Sequence, residues 1–97
     1  MVRNNLKQLK EKARTLPELP GVYLLKDENG KVLYVGKALS LRQRVRSYLG
    51  DKHKLSPRIK SLQAKLGEID YIVTDTEVEA LILECNLIKE FRPRFNV

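Results

Sequence analysis

Two strings that pair a tyrosine with a glycine have the residue types and spacing to do chemistry together. They are Gly21-Val22-Tyr23 and Tyr34-Val35-Gly36, and Lys37 directly follows the second. A phenol can give or take a proton, and a lysine beside it can neutralise negative charge. The turn sequence Asp27-Glu28-Asn29-Gly30 between the strings predicts that both phenols lie on adjacent strands of one hairpin. A tyrosine pair is also typical of an ordinary core, so the rest of the chain must decide between the two interpretations.

A predicted helix after Ser40 adds a cation and a third phenol. Arg44 flanks the apolar stripe of that helix one turn before Tyr48, so both side chains leave the same edge. An arginine held there can bind a phosphate through two parallel hydrogen bonds, with the tyrosine as a neighbour. Arg42 and Arg46 lie on the other side of the helix, where they either contact a nucleic-acid backbone or form a solvated face.

The last predicted helix has a carboxylate among its apolar side chains. At about 100° per residue, a polar face made by Glu79, Asn86, Lys89 and Glu90 is predicted to be solvated. Glu84 lies opposite that face, between two apolar stripes. One stripe consists of Val78, Leu81, Ile82, Cys85 and Ile88, the other of Ala80, Leu83, Leu87 and Phe91. We therefore interpret the only cysteine, Cys85, as a helix-packing residue rather than a nucleophile.

Glu84 in this position has two interpretations. A carboxylate on an apolar surface is costly unless a cation, a metal or hydrogen-bond donors meet it. In the structural interpretation it forms a salt bridge to an arginine or reaches water because the helix tilts, and in the functional one it binds a divalent ion. One carboxylate plus waters suits Mg²⁺, which keeps much of its hydration shell.

The positive charge of the chain is concentrated in its middle third. The 97 residues carry a formal charge of +7. Residues 37–66 contain nine Lys and Arg against one acid, whereas the remainder contains ten against eleven. This asymmetry favours a polyanionic partner such as nucleic acid, although a solvated basic surface remains the alternative. The predicted contacts to a DNA backbone are Arg42, Arg46, Lys52, Lys54, Arg58 and Lys60.

Composition and periodicity predict one small α+β domain. Its order is α-β-β-α-α-β-α, with a small three-stranded, mainly antiparallel sheet packed with helices. The predicted helices are 3–14, Ser40 to Gly50, Ser56 to Gly67 and 77–91, and the strands are 22–26, 32–36 and 69–74. One cysteine excludes a disulfide framework, and no apolar run approaches the ~20 residues of a membrane span. We expect a soluble, cytoplasmic protein in which His53, the only histidine, is solvated in a loop.

These residues together resemble the GIY-YIG nuclease family, with valine for isoleucine in both name-giving triplets. The family's arginine, ten residues after the second motif tyrosine, corresponds to Arg44, and its next aromatic position to Tyr48. Its metal-binding glutamate corresponds to Glu84, and a following asparagine to Asn96. The match runs from about Leu16 to the end. We therefore expect a single domain over 1–97, with an N-terminal helix in 1–15 and a catalytic core in 16–97.

The resemblance implies a metal-dependent endonuclease. The resemblance is strongest to the domain that cuts on the 3′ side of a lesion in bacterial nucleotide excision repair. That implies damaged duplex DNA as the substrate, and UvrB as a partner through parts of a longer protein not present in this chain. One Mg²⁺ or Mn²⁺ ion would bind through Glu84 and waters. The rival interpretations are a basic nucleic-acid-binding module without catalysis, and a different structure-selective nuclease with the same core.

Each site residue then has an expected role in phosphodiester hydrolysis. Tyr34 is predicted to orient or deprotonate the attacking water, and Lys37 and Arg44 to neutralise charge on the phosphoryl oxygens. Lys37, Arg44 and the metal are the cations expected to lower the pKa of that phenol. The predicted positioning residues are Tyr23 and Tyr48. Asn96 is expected to support the metal end of the site. Gly21 and Gly36 are expected to keep the surface open for the DNA backbone.

Overall fold

The computed structural model describes residues 5–96, and its elements follow the predicted order. The start of the predicted first helix, residues 3–4, lies outside the described range. A one-turn 3-10 helix, Lys52–Lys54, precedes the third α-helix. The elements are α1 Asn5–Arg14, β1 Gly21–Lys26, β2 Val32–Ala38, α2 Leu41–Ser47, α3 Pro57–Lys65, β3 Glu68–Val73 and α4 Glu77–Phe91. The α+β fold class is confirmed.

Capping residues begin the helices where the sequence predicts, but α2 ends at Ser47, three residues before the predicted stop at Gly50. Ser40, Ser56 and Thr76 each accept a hydrogen bond from the amide three residues on, at 3.4, 3.2 and 3.1 Å. These bonds satisfy amides that have no partner within the first turn of a helix. Arg92 adopts a left-handed conformation with φ of 44° and ends α4 just before Pro93. The local start signals therefore hold for α2, α3 and α4, and the predicted stop holds for α4.

Within residues 5–96, three strands form an antiparallel sheet in the order β2-β1-β3. One face of the sheet packs on α1, α2 and α3 through a core that includes Tyr23, Leu25 and Leu41. The other face packs on α4, with Val22 and Val35 in a second, smaller core. Alternation along β1 explains this division, because successive side chains of a strand point to opposite faces. The strand that carries Tyr34, β2, lies at an edge of the sheet.

A β-bulge in the hairpin decides which way Tyr34 points. Leu25 pairs with Tyr34 and Lys26 pairs with Val32, so Leu33 is left without a partner in β1. One extra residue shifts the alternation of a strand by one position. Tyr34 consequently shares a face with Leu25 and Tyr23. The turn itself is held by Asp27, whose carboxylate accepts from the amides of residues 29 and 31 at 2.8 and 3.0 Å.

The pattern of burial along α4 confirms the predicted solvated face, since Glu79, Asn86, Lys89 and Glu90 are exposed, and it corrects the interpretation of Cys85 as a packing residue. The sheet packs mainly on one of the two apolar stripes, through Ala80, Leu83 and Leu87, joined by Ile88 from the other stripe. The rest of that other stripe faces solvent: Val78, Leu81 and Ile82 are 66, 45 and 56% exposed, and Cys85 is exposed rather than packed. A single sheet face can cover only one side of a helix, and no described element covers the other. Among the described residues, no helix is long and apolar enough to cross a membrane.

Candidate active site

Three tyrosines form a compact cluster on the face of the sheet that packs on α2 and α3. The ring centroids of Tyr23, Tyr34 and Tyr48 lie 5.7–6.1 Å from one another, in tilted arrangements. The hydroxyls of Tyr23 and Tyr48 share a hydrogen bond of 2.9 Å. Tyr23 is buried, whereas Tyr34 and Tyr48 are half-buried. The predicted meeting of the two motif phenols is therefore present, and the third phenol joins them from the end of α2.

The two motif glycines are buried, and they serve packing rather than an open surface. A Cβ at Gly36 would overlap the Tyr23 ring and lie 2.9 Å from Cε2 of Tyr34. A Cβ at Gly21 would overlap the carbonyl oxygen of Ile72 in β3. The expectation that these glycines keep the surface free for DNA is wrong. Gly36 leaves room for the Tyr23 phenol across the hairpin, and Gly21 allows β3 to approach β1.

Asn96 pairs with the backbone of β2 beside Tyr34. Its side-chain oxygen accepts from the Val35 amide at 2.8 Å, and its nitrogen donates to the Val35 carbonyl at 2.9 Å. These two hydrogen bonds imitate the pairing of a neighbouring strand at the outer edge of the sheet. In this structure Asn96 thus holds the backbone between Tyr34 and Gly36.

Lys37 and Arg44 reach the same groove from different elements. Lys37 pairs with Val22, so its side chain lies on the α4 side of the sheet. Together with Arg44 and Glu77 it lines a groove of about 370 Å³, whose remaining wall is apolar. Arg44 also acts on the tyrosine cluster, because its charge opposes the rise in the pKa of Tyr23. These two cations can meet a phosphate that lies between the phenols and the start of α4.

Glu84 carries a half-buried carboxylate without a cationic partner. Among the described side chains, which do not include that of Lys52, no Lys or Arg forms an ion pair with it. Its negative charge acts on Tyr34, where it contributes to raising the pKa of the phenol. The salt-bridge interpretation is therefore not realised, and the carboxylate stands beside the tyrosine cluster. A carboxylate in this position has the chemistry of a ligand for a hard cation.

Burial raises the pKa of two of the phenols, and a neighbouring arginine opposes each rise. The pKa of Tyr34 is raised above its ordinary value, first by burial and then by Tyr48 and Glu84, while Arg58 opposes the rise. The pKa of Tyr23 is also raised, chiefly by burial and by its hydrogen bond to Tyr48. Both phenols thus remain protonated at neutral pH unless more positive charge approaches.

The cation that acts on Tyr34 is one that the sequence interpretation assigned elsewhere. Arg58 lies in the first turn of α3 and was predicted to contact DNA, whereas Lys37 and Arg44 were expected to act on this phenol. The chain folds α3 back so that its start approaches the edge strand, and the side chain donates a hydrogen bond to the Phe95 carbonyl. Nothing in the local pattern of Ser56-Pro57-Arg58 indicates this long-range approach.

The remaining predicted DNA contacts differ in their freedom to bind. Arg42 is half-buried, donates to the Leu16 carbonyl at 2.8 Å and pairs with Glu18 at 3.3 Å. Its guanidinium is thus engaged within the protein. Arg46, Lys54 and Lys60 are exposed, as is His53, and the Lys52 side chain lies outside the described part of the structure. The exposed cations can meet a polyanion without first breaking an internal contact.

Comparisons with known proteins agree with this geometry. A family model described as the UvrC-like GIY-YIG domain matches residues 19–97. UvrABC system protein C of Caldicellulosiruptor saccharolyticus is 60% identical over 89 residues, and that of Moorella thermoacetica is 56% identical over 89 residues. Each match covers 92% of this chain, but the chain spans only 15 and 14% of the length of these relatives.

A solved structure matches over almost the whole chain. It is the GIY-YIG N-terminal endonuclease domain of UvrC from Thermotoga maritima, bound to its catalytic divalent cation, magnesium. The TM-score is 0.82 and the identity 38%, with 99% of this chain and 100% of that chain covered. The matched family model, the relatives and the shared fold lead to one conclusion: this chain belongs to the family of UvrC-like GIY-YIG domains.

Proposed function

We propose that this chain is a divalent-metal-dependent endonuclease domain that hydrolyses a phosphodiester bond of DNA. The observation that carries the proposal is the Glu84 carboxylate, which is unpaired among the described residues and acts on Tyr34, one member of a cluster of three phenols. Lys37 and Arg44 line the adjoining groove. The relative from Thermotoga maritima, described as an endonuclease domain bound to catalytic magnesium, supports the same assignment.

The donor set fits a hydrated ion held by one side chain. The described residues contain no group of three or more His, Cys, Asp or Glu side chains that could hold a metal. Glu84 would therefore bind one Mg²⁺ or Mn²⁺ together with waters, as suits a small hard cation. When bound there, such an ion would supply Lewis-acid polarisation of the scissile phosphate and charge stabilisation for the departing oxygen.

Variants of the relative support a metal site that does not depend on the phenols. Its structures with single Tyr→Phe or Asn→Ala substitutions are described as bound to the catalytic divalent cation. Those residue types are the ones in the tyrosine cluster and at Asn96. We accordingly assign the ion to Glu84, and assign Asn96 to holding β2 rather than to supporting the metal end.

The side chains of this chain would divide the remaining work. Arg44 and Lys37 neutralise charge that develops on the non-bridging phosphate oxygens. Tyr34 orients the attacking water. Once positive charge at the site lowers its pKa, the half-buried phenol would release its own proton to solvent, and the resulting phenolate would accept the proton of the water. Tyr48 and Tyr23 fix the position of Tyr34 through ring contacts and their shared hydrogen bond.

The longer relatives support a proposal for the substrate and the partner. As part of a UvrABC system protein C, the domain would cleave damaged duplex DNA on the 3′ side of a lesion, in the bacterial cytoplasm. UvrB would be a partner through other parts of a longer protein. The chain would form one domain, with a helix in 1–15 and the catalytic core in 16–97. Backbone contacts would come from Arg46, Lys52, Lys54 and Lys60.

Substitution of Glu84 by glutamine tests the metal assignment. Glu84→Gln keeps the size of the side chain but removes the charge that attracts a divalent ion. We expect nicking of supercoiled plasmid DNA in Mg²⁺ or Mn²⁺ to fall at least about a hundredfold, because the ion and its charge stabilisation are lost. Thermal unfolding and DNA binding, measured by fluorescence anisotropy, should stay close to wild type.

Glu90→Gln is the matched control, since it removes the same charge from the exposed side of α4. That variant should nick at the wild-type rate. Full activity of Glu84→Gln would contradict the metal assignment. A wild-type chain that binds DNA but does not nick it in either metal would favour the non-catalytic binding module.

A further inference from the structure

The segment after α4 forms hydrogen bonds with the outer edge of β2 on both sides of Tyr34. The Phe95 amide donates to the Leu33 carbonyl at 2.9 Å. The Asn96 side chain then bonds both backbone groups of Val35, at 2.8 and 2.9 Å. These three bonds bracket Tyr34, whose own backbone faces β1 through its pairing with Leu25. The position of the Tyr34 phenol therefore depends on how firmly residues 95–96 lie against the strand.

Arg58 holds the peptide group that joins those two residues. Its guanidinium donates a hydrogen bond to the Phe95 carbonyl, the acceptor that immediately precedes Asn96. A planar guanidinium that binds a carbonyl restricts the orientation of the peptide more than a flexible ammonium would. The ring of Phe95 is buried in the main core, which anchors the same residue from its other end. Arg58 thus completes a path of contacts from α3 through residues 95–96 to β2.

We propose that Arg58 is a positioning residue for the nuclease reaction, which clamps the 95–96 peptide against β2 and thereby sets the place of Tyr34. Its charge is also close enough to that phenol to favour the ionised form. This role rests on the proposed nuclease function, and it replaces the sequence-based expectation that Arg58 only contacts the DNA backbone.

The two roles for Arg58 predict different kinetics. A phosphate contact contributes mainly to DNA affinity, so its loss raises KM and makes binding less dependent on salt. A positioning residue acts on the geometry of the bound complex, so its loss lowers kcat. The backbone of β2 provides a second readout that needs no DNA, because the Val35 amide donates to Asn96.

The experiment compares Arg58→Gln and Arg58→Lys with Lys65→Gln. Lys65 lies in the last turn of α3, is exposed, and supplies the same loss of one charge without a place in the site. Hydrogen exchange of the Val35 amide is followed by NMR in the metal-free 97-residue chain. Plasmid nicking in Mn²⁺ is then measured over a range of DNA concentrations to separate kcat from KM.

We expect Arg58→Gln to speed exchange at Val35 about tenfold or more and to lower kcat by a similar factor, since a hydrogen bond from a charged donor is lost. Arg58→Lys keeps the charge and one donor, so it should recover part of both losses. Lys65→Gln should leave both readouts at the wild-type value. Thermal unfolding of each variant confirms that the fold persists under the conditions of the assay.

A raised KM with unchanged kcat and unchanged Val35 exchange in Arg58→Gln would overturn the proposal and leave Arg58 as a DNA contact. Fast exchange without any loss of kcat would also overturn it, because the clamp would then not affect the reaction. If the wild-type chain does not nick DNA, the proposed function fails. The exchange data would still show whether Arg58 holds β2, so the two failures can be told apart.

Discussion

At the scale of single residues, the pKa of Tyr34 depends on burial and on neighbouring charges of both signs. Burial and Glu84 raise the pKa of this phenol, while Arg58 acts against them. A cation bound at Glu84 would remove one of the raising contributions and add a lowering one. Tyr34 would thus be a poor general base while no cation is bound at Glu84, and a better one when a cation is bound there.

The Tyr34→Phe variant tests this role by removing one oxygen and leaving the ring packing in place. We expect the nicking rate at saturating DNA to fall by about a hundredfold or more, since general acid–base groups contribute at this level. Tyr71→Phe is the control, because Tyr71 is an exposed phenol of β3 outside the cluster. A loss of only twofold for Tyr34→Phe would assign proton transfer to another group.

At the scale of elements, the hairpin and α4 show how local irregularities place the site. The bulge at Leu33 turns Tyr34 toward Tyr23, and Gly36 leaves space for the Tyr23 ring beside it. On the other side of the sheet, α4 packs through one apolar stripe and leaves Glu84 half-buried at its border. Glu84 can therefore reach both a bound cation and water.

The two stripes of α4 should respond differently to truncation. Leu83→Ala removes a side chain that packs on the sheet and should lower the free energy of unfolding by about 1–2 kcal/mol, less than for a fully buried leucine. Ile82→Ala removes a side chain that is 56% exposed and should change it by less than about 0.5 kcal/mol. Urea unfolding followed by circular dichroism measures both. Equal losses would mean that the exposed stripe is covered in solution.

At the scale of the whole molecule, the sheet separates two cores, and the phenol cluster belongs to the larger one. Tyr23 is 2% exposed within that core, and burial raises its pKa. The unfolded chain releases this proton near pH 10, whereas the folded chain retains it to higher pH. Stability from Tyr23 is therefore fully present below about pH 10 and decreases as the pH rises further.

Alkaline unfolding tests this linkage between the buried phenol and stability. Between pH 9 and 11 the wild type should lose stability more steeply than Tyr23→Phe, by up to about 1.4 kcal/mol per pH unit for one group. Tyr23→Phe should be less stable than wild type at pH 8, because it loses the hydrogen bond to Tyr48. Tyr71→Phe should keep the wild-type slope. Parallel slopes for wild type and Tyr23→Phe would contradict the assignment.

The amino-acid sequence by itself determined the elements and their order, since these depend on local signals. Caps at Ser40, Ser56 and Thr76 and the turn at Asp27 act over a few residues, and each is confirmed. The spacing of the motif tyrosines, Arg44 and Glu84, together with the resemblance to the GIY-YIG family, likewise predicted most of the candidate site. These features could be predicted because helix and strand periodicity fix which side of an element a residue occupies.

Only the tertiary structure decided which surfaces meet. Periodicity shows that α4 has two apolar stripes, but not that the sheet covers one of them, because that depends on the area another element offers. It likewise cannot show that Arg58 reaches the Phe95 carbonyl, or that Asn96 pairs with Val35, since these contacts join residues 37 and 61 positions apart. Such contacts form only when packing brings distant segments together, and here they are the ones that hold Tyr34 in place.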